Sequence, residues 1–264
     1  IGATQDYSGN GYVGIYQNVN DTWIQVGANI NGESFGDQSG GYVSLSDNGN
    51  IVAIGAEWND NNNGNDSGHV RIYRNNGGLW TQIGDDIDGA SGFDLSGNSI
   101  SLSSDGYIVA IGAWNKSSNG PYKGHVRIFR YGVQNGESTW IQIGSDIDGE
   151  ADRDHSGHSV SLSADGNTLA IGAKYNDGDN GASSGHVRIY KNVNNNWVQV
   201  GSDIDGEAAG DRSGTAVSLS ADGSTVAISA PYNVGNGIYK NINNTWTQLG
   251  SDIDGEAAGD RSGS

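Results

Sequence analysis

Alternating carboxylates recur in loops along the chain, and their spacing has the clearest potential for chemistry. One loop contains Asp203, Asp205, Glu207 and Asp211. A later copy contains Asp252, Asp254, Glu256 and Asp260. Oxygen atoms at every second position can converge on one hard cation, so these eight residues are the predicted ligands of calcium, the only cofactor expected. The alternative is that the carboxylates cap turns by accepting backbone N–H groups.

A second recurring pattern is an aromatic residue followed by asparagine. The pairs are Trp58 and Asn59, Trp114 and Asn115, Tyr175 and Asn176, and Tyr232 and Asn233. An aromatic face stacks on the C–H groups of a sugar while an amide recognises hydroxyls, so the pairs are the predicted ligand-binding residues. A glycan or a protein is the expected ligand. The alternative is that each ring packs in the core between neighbouring units.

Histidine and arginine alternate in one predicted strand of three units. The pairs are His69 and Arg71, His125 and Arg127, and His186 and Arg188. Residues two apart share a face of a strand, and these cations are expected to pair with acidic loops of the adjacent unit. His155 and His158 follow Asp154 with a spacing that suits a metal, but the arrangement occurs in one unit only.

The sequence contains no recognisable catalytic motif. A nucleophile elbow, a zinc-protease helix and a phosphate-binding loop are all absent. Near-identical repeats rarely contain a single active site, so no catalytic residue and no enzymatic activity are predicted. A carbohydrate hydrolase with paired carboxylates is kept as a weaker alternative.

These residues are carried by five tandem units of roughly 57 residues. Each unit contains a Trp-x-Gln-x-Gly segment, beginning at Trp23, Trp80, Trp140, Trp197 and Trp246. The predicted units span about 1–41, 42–98, 99–158, 159–214 and 215–264, within a single repeat domain. A repeat of this length points to stacked supersecondary units that bury their faces against one another.

Four runs of β character fill each complete unit. In the fourth unit, residues 159–163 alternate small polar and apolar side chains, and residues 164–167 form an Asp-Gly turn. A second strand and two further strands follow. Four short antiparallel strands per repeat predict an all-β propeller of about five blades. The first unit lacks its first hairpin, which suggests part of a larger ring or self-association through the chain ends.

The segment from Gly157 to Ala173, Gly-His-Ser-Val-Ser-Leu-Ser-Ala-Asp-Gly-Asn-Thr-Leu-Ala-Ile-Gly-Ala, resembles the FG-GAP repeats of integrin α-subunit propellers. The resemblance rests on Ser-Gly before the first strand, at residues 39–40, 96–97, 156–157 and 213–214, and on Ile-Gly-Ala after the second. It covers all five units. It implies a module for adhesion and ligand binding outside the cell.

The composition of the chain limits the classes of partner that it can bind. The chain has a formal net charge of -18 and 13 Lys and Arg residues, which argues against nucleic acid because phosphate contacts need clustered cations. No apolar run has the length of a membrane span. The prediction is therefore an extracellular, secreted or cell-surface, non-enzymatic binding module that acts through its rim loops. A structural subunit of an extracellular layer or filament is the alternative.

Overall fold

The protein is all β, and its strands form consecutive antiparallel sheets that are the blades of a propeller. The computed structural model describes residues 1–4, 9–116, 121–232, 236–253 and 256. No helix occurs within these ranges. The predicted propeller of about five blades is confirmed, with four complete four-stranded blades and a first blade that is incomplete.

The strands follow the repeat closely. The first two units contain β1 (Gly2–Ala3), β2 (Tyr12–Val13), β3 (Tyr16–Val19), β4 (Thr22–Gln25), β5 (Ile30–Asn31), β6 (Tyr42–Leu45), β7 (Ile51–Ala56), β8 (His69–Asn76), β9 (Leu79–Gln82) and β10 (Ile87–Asp88). The third unit contains β11 (Ser99–Leu102), β12 (Ile108–Ala113), β13 (His125–Gln134), β14 (Glu137–Gln142) and β15 (Ile147–Asp148). The last two contain β16 (Ser159–Leu162), β17 (Thr168–Ala173), β18 (His186–Val193), β19 (Asn196–Gln199), β20 (Ile204–Asp205), β21 (Val217–Leu219), β22 (Thr225–Ile228), β23 (Gly237–Ile242) and β24 (Thr245–Gln248).

Each complete blade is an antiparallel meander. In the fourth unit the order is β16-β17-β18-β19, and the short β20 pairs with the free part of β18. The first strands of successive blades lie against one another, β6 beside β11, β11 beside β16 and β16 beside β21. They form a continuous row, so each of the four complete blades is positioned by its first strand.

The hairpin between the first two strands is fixed by its own side chains. In the fourth unit the Ser163 hydroxyl donates to Asp165 Oδ1 at 2.6 Å and accepts the N–H of Thr168 at 2.9 Å. Gly166 supplies the positive φ, 67°, that the turn requires. The Ser-x-Asp-Gly sequence therefore specifies this turn locally, which is why it could be predicted.

The hydrophobic core lies between the blades. One cluster joins Ala53 and Ile72 of the second unit to Val109, Ile111 and Trp140 of the third. The indole N–H of the repeated tryptophan crosses the same boundary and donates to a backbone carbonyl of the preceding unit. These bonds are Trp80 to Val26 (2.8 Å), Trp140 to Ile83 (2.8 Å), Trp197 to Ile143 (3.1 Å) and Trp246 to Val200 (2.9 Å). These four tryptophans therefore occupy equivalent positions in successive blades.

The glycine of Ile-Gly-Ala is required where two blades approach closely. A methyl group on Gly172 would overlap the carbonyl oxygen of Gly214, and Gly112 meets Gly157 in the same way. In the fifth unit Ser229 stands at this position. The Ser229 hydroxyl accepts the N–H of Ala216 at 2.9 Å.

Replacement of Gly172 by alanine is expected to lower the free energy of unfolding by about 1–3 kcal/mol, because the new methyl group forces the blades apart. Chemical denaturation monitored by tryptophan fluorescence measures the change. Gly132→Ala is the matched control, since its methyl group would meet only the side chain of Ile141 at 3.4 Å. Equal stability of the two variants would contradict the close-approach explanation.

The first blade differs from the others. Its strands form two small sheets, β1-β2-β5 and β3-β4, and no first strand precedes β1 within the described residues. Trp23 is 68% exposed, whereas Trp140 is 8% exposed, because among the described residues no preceding blade lies against Trp23 as the second blade lies against Trp140. The part of the chain that the structure describes holds no helix suited to crossing a membrane.

Candidate functional site

At one end of the propeller, the loop before each first strand meets the loop that joins the second and third strands of the preceding blade. The loop that precedes each first strand lies beside the start of the third strand of the preceding sheet, as the bridge between Gly124 and Ser156 shows. At one equivalent position in each of these loops, a non-glycine residue has the left-handed conformation. These residues are Gln38 (φ 53°), Leu95 (φ 55°), His155 (φ 55°) and Arg212 (φ 55°). The backbone is therefore the same in each loop while the side chain changes from blade to blade, and non-glycine residues in this conformation cluster at functional sites.

Aromatic and cationic side chains gather at this end where the third, fourth and fifth units meet. The His155 ring stacks on Trp114 with centroids 4.6 Å apart and meets Tyr175 edge-on at 4.7 Å. The guanidinium of Arg212 lies over Tyr175 at 4.9 Å and over Tyr232 at 3.9 Å. These five residues form a continuous row, called here the aromatic row.

A lysine–histidine pair lies beside the aromatic row. Lys174 Nζ is 2.5 Å from His158 Nε2, and Lys174 also lies over the Tyr175 ring at 5.2 Å. Burial, followed by the charge of Lys174, lowers the pKa of both His155 and His158 to about 4. Burial and then the charge of Arg212 lower the pKa of Lys174. At neutral pH the imidazoles are therefore uncharged, and the lysine releases its proton more readily than an ordinary lysine.

This constellation occurs once among the described residues. Gln38, Leu95 and Arg212 take the place of His155 in the other units, and Gly41, Asn98 and Thr215 take that of His158. The sequence did contain the signal, because His-Ser-Gly-His departs from the repeat. The geometry does not bring Asp154 together with His155 and His158 as the ligands of a metal. Asp154 instead accepts the N–H groups of Glu150 and Ala151 and holds the turn.

In the predicted aromatic–asparagine pairs, the structure separates exposed rings from buried amides. Trp58 is 40% exposed and Tyr232 is 46% exposed, whereas Asn59 and Asn176 are buried. The Asn59 amide donates to Asp37 Oδ2 at 3.1 Å. The rings thus face the rim while these two amides face the protein. Asn233 lies outside the described residues.

In the third unit the pattern is shifted by one residue. The N–H of Lys116 donates to Ala113 O, as that of Asn59 does to Ala56 O, so Lys116 occupies the position of the buried asparagine. Trp114 and Asn115 therefore stand one place earlier than the other aromatic–asparagine pairs. This shift moves Trp114 next to His155, which the dipeptide pattern alone could not reveal.

The predicted calcium ligands serve different partners. Asp203 accepts a hydrogen bond from Gln199 at 2.6 Å, Asp252 accepts one from Gln248 at 2.6 Å, and Asp211 accepts the N–H of Ala208 at 2.7 Å. Burial raises the pKa of Asp205, and Glu207 and Glu256 contribute no hydrogen bond among the described contacts. Asp254 and Asp260 lie outside the described residues.

Histidine and carboxylate side chains come together in three places instead. The groups are Glu33, His69 and Asp86; His125, Asp146 and Asp148; and Glu150, His186 and Asp203, each with potential ligand atoms within 4.8 Å of one another. A metal ion could be held by such groups. In the second group Lys116 Nζ lies 3.1 Å from Asp146 and 3.0 Å from Asp148, so an ammonium already supplies the positive charge there.

The expected pairing with the adjacent unit is present for two of the arginines, whereas His69 and His125 lie beside Asp86 and Asp146 of their own units. Arg71 pairs with Glu33 at 3.2 Å and Arg188 with Glu150 at 3.6 Å, and each glutamate belongs to the preceding unit. Arg188 also donates to the carbonyl of Asp148 at 2.8 Å. His125 Nδ1 donates to Asp146 Oδ2 of its own unit at 3.1 Å, and this hydrogen bond lowers the pKa of Asp146. These strands therefore tie neighbouring blades together.

Comparison with known proteins identifies the fold. No family model matches the sequence, and no curated protein matches it. Among solved structures, the periplasmic gluconolactonase PpgL of Pseudomonas aeruginosa aligns with a TM-score of 0.54 and 17% identity over 81% of this chain. The chain spans 58% of the length of that protein. A protein of Bacteroides uniformis assigned as a 6-phosphogluconolactonase aligns with a TM-score of 0.50 and 13% identity, over 95% of this chain and 80% of its own.

These neighbours correct two predictions. The FG-GAP assignment is wrong, because no family model matches and the similar structures are gluconolactonase-type propellers. The Ser-Gly and Ile-Gly-Ala segments that suggested it lie where two blades of this protein approach closely. The prediction of a non-enzymatic adhesion module is contradicted as well, since both neighbours bear the names of enzymes.

Proposed function

We propose that the chain is a hydrolase of sugar-derived lactones, which corresponds to the weaker alternative from the sequence, and that the aromatic row with Lys174 and His158 is its active site. The observation that carries the proposal is the 2.5 Å contact between Lys174 Nζ and His158 Nε2, at the His-Ser-Gly-His segment that departs from the repeat. The likeness to two proteins named as lactonases supports it at the level of fold.

The aromatic row suits the substrate. The C–H face of a sugar ring stacks on an aromatic ring, and Trp114 and Tyr175 provide two such rings on either side of His155. Lactone hydrolysis converts a neutral ester into a carboxylate. Arg212 places positive charge at this site in a chain whose formal net charge is -18. This local charge favours the developing oxyanion and the anionic product.

The Lys174–His158 pair can carry out the proton transfers. In its unprotonated form the pair accepts a proton from water as the water oxygen attacks the lactone carbonyl carbon. The bond between that carbon and the ring oxygen then breaks, and the pair returns the proton to the ring oxygen. The product is an open-chain hydroxy acid. The lowered pKa of Lys174 makes the accepting form available nearer to neutral pH.

A lactonase assay tests the proposal. Purified protein is mixed with gluconolactone, and acid release is followed with a pH indicator after subtraction of the spontaneous rate. We expect Lys174→Met and His158→Asn each to lower kcat/KM by about 100-fold, the usual contribution of a general acid–base group. Lys191→Met, which changes an exposed lysine on β18, is the matched control and should keep full activity.

Two results would overturn the assignment. One is the absence of hydrolysis above the spontaneous rate for both five- and six-membered sugar lactones. The other is full activity in the Lys174 and His158 variants with melting temperatures equal to that of the unchanged protein.

The metal ion that the histidine–carboxylate groups would bind is part of the same proposal. A histidine nitrogen with two carboxylates, as at Glu150, His186 and Asp203, suits zinc or manganese better than calcium, which prefers oxygen ligands alone. The assay repeated with EDTA, and after addition of each ion, separates these ions. One neighbour is periplasmic by its name, and we extend a location outside the cytoplasm to this chain as part of the proposal.

A further inference from the structure

A cavity opens at the same end of the propeller as the aromatic row, where the loop before β6 meets the loop between β7 and β8. It has a volume of about 360 Å³, and its walls include Phe35, Gln38, Trp58, Asp60 and Asp66. Trp58 is 40% exposed and Phe35 is 85% exposed. A volume of this size is typical of sites for small molecules. The walls therefore offer aromatic faces and carboxylates to a small ligand.

Charge at this boundary is the reverse of the charge at the aromatic row. Glu57 directly follows the second strand of its unit, where Lys174 follows the second strand of the fourth unit. Asp66 stands where the fourth unit has Ser183, because the N–H of each donates to the aspartate six positions earlier, at 2.8 and 2.7 Å. The same backbone therefore carries acidic side chains here and a basic or neutral one there.

Two carboxylates of the cavity wall are not balanced by a cation of the protein. Among the described residues, no lysine, arginine or histidine forms an ion pair with Asp60 or Asp66. Burial, followed by the charge of Asp60, raises the pKa of Asp66, as expected where like charges lie close together. Asp37 differs, since its Oδ2 accepts the N–H of Ser34 at 2.9 Å and the amide of Asn59 at 3.1 Å. A positively charged ligand is therefore favoured beside Asp60 and Asp66.

The aromatic side chains decide between a metal ion and an organic cation. Phe35 is an aromatic residue at a position where the other three loops have Gly92, Asp152 and Ala209. Trp58 is a tryptophan where the fourth and fifth units have tyrosine, and the indole is the ring that attracts cations most strongly. A hard metal ion takes oxygen ligands and gains nothing from these rings. An ammonium that carries methyl groups packs on them and keeps its charge.

We propose that this cavity binds a small quaternary ammonium compound. Its methyl groups would lie against Trp58 and Phe35, and its positive charge would lie beside Asp60 and Asp66. Aromatic faces are the usual means of recognising such cations, and unbalanced carboxylates add to the attraction. The formal net charge of -18 raises the local concentration of any cation near the protein. The cavity lies at a different boundary from the aromatic row, so the proposal does not depend on the hydrolase activity.

Choline and two matched compounds test the proposal on the unchanged protein. Dimethylbutanol has the shape of choline, but a carbon atom replaces the charged nitrogen. Ethanolamine keeps the charge and lacks the methyl groups. Isothermal titration calorimetry in the presence of EDTA, so that no divalent ion competes for the carboxylates, measures the three affinities. We expect saturable binding of choline, and binding of each of the other two at least about tenfold weaker, because each loses one part of the attraction.

Protein variants locate the bound choline. Trp58→Leu removes the indole face and should weaken choline binding at least about tenfold, whereas Trp23→Leu, at the 68% exposed tryptophan of β4, is the matched control and should leave it unchanged. Asp60→Asn combined with Asp66→Asn removes both charges and should weaken choline binding by a similar factor. Asp85→Asn, at an exposed aspartate, is the control for this pair.

Several results would overturn the proposal. They are the absence of saturable choline binding, equal affinity for choline and dimethylbutanol, and binding of ethanolamine as tight as that of choline. Full choline binding by Trp58→Leu would also overturn it, since the ligand would then lie elsewhere. The comparison of the three compounds uses the unchanged protein, so a folding defect in a variant does not obscure the result.

Discussion

Replacement of Trp140 by alanine is expected to lower the free energy of unfolding by about 3–5 kcal/mol, which is the usual cost of removing a large aromatic side chain from a core. Trp140 is 8% exposed and packs in the cluster that joins the second and third blades. Its indole N–H also donates to the carbonyl of Ile83 at 2.8 Å. The substitution therefore leaves a cavity and an unpaired carbonyl at the same boundary.

Two further variants separate these contributions. Trp23→Ala removes the equivalent residue of the first blade, which is 68% exposed, and should cost well under 1 kcal/mol. Trp140→Phe keeps most of the packing but loses the hydrogen bond, and should cost about 1–2 kcal/mol. Urea denaturation of the three proteins gives the values. Similar losses for Trp140→Ala and Trp23→Ala would show that the blade boundary does not account for the stability.

The folded protein is expected to lose stability steeply as the pH falls from about 7 to about 4. Burial, and then the charges of Arg71 and Arg188, lower the pKa of His69 and His186 from 6.5 to about 4. In the unfolded chain these histidines bind a proton below about pH 6.5, whereas in the folded protein they bind one only near pH 4. Protons therefore favour the unfolded state throughout this window, by about 3 kcal/mol for each histidine at its lower end.

Thermal unfolding at half-unit steps of pH, in the presence of a chelator so that no metal competes with the proton, measures the effect. His69→Gln combined with His186→Gln replaces both imidazoles by groups that do not titrate. The slope of stability against pH between 7 and 4.5 should be smaller in this variant than in the unchanged protein. Equal slopes, or a flat profile in the unchanged protein, would refute the assignment of the acid sensitivity to these histidines.

Local features of the fold were predictable because the residues that specify them are close together in the chain. The Ser163-x-Asp165-Gly166 turn is held by its own hydroxyl and carboxylate and by one positive φ. Alternation of small polar and apolar residues gave the first strands, and the repeat of Trp23, Trp80, Trp140, Trp197 and Trp246 gave the blades. The incomplete first blade was predictable for the same reason, since a hairpin is missing from a regular pattern.

The candidate site was only partly predictable. Tyr175 and Trp114 were selected as aromatic rim residues, and His155 with His158 was noticed as a break in the pattern. Lys174 and Arg212 were missed, because each looks like an ordinary surface cation when the loops are considered one at a time. The predicted carboxylate ligands do not lie around one point, because carboxylates that are close in the chain contact different partners in the folded protein. Asp203 lies beside His186, whereas Asp211, in the same loop, caps a turn.

The sequence by itself determined the repeat, the strands and turns within each unit, and the propeller that such units build, since these depend on periodicity and short-range bonds. Tertiary structure alone decided which side chains meet. Lys174 and His158, 16 residues apart, come within 2.5 Å because the loop before one first strand lies against the loop after the second strand of the same blade. Arg212 and Tyr232 join them from the next boundary. The physical reason is that a functional site between blades depends on the approach of separate loops, and a repeating sequence gives every boundary the same backbone but not the same side chains.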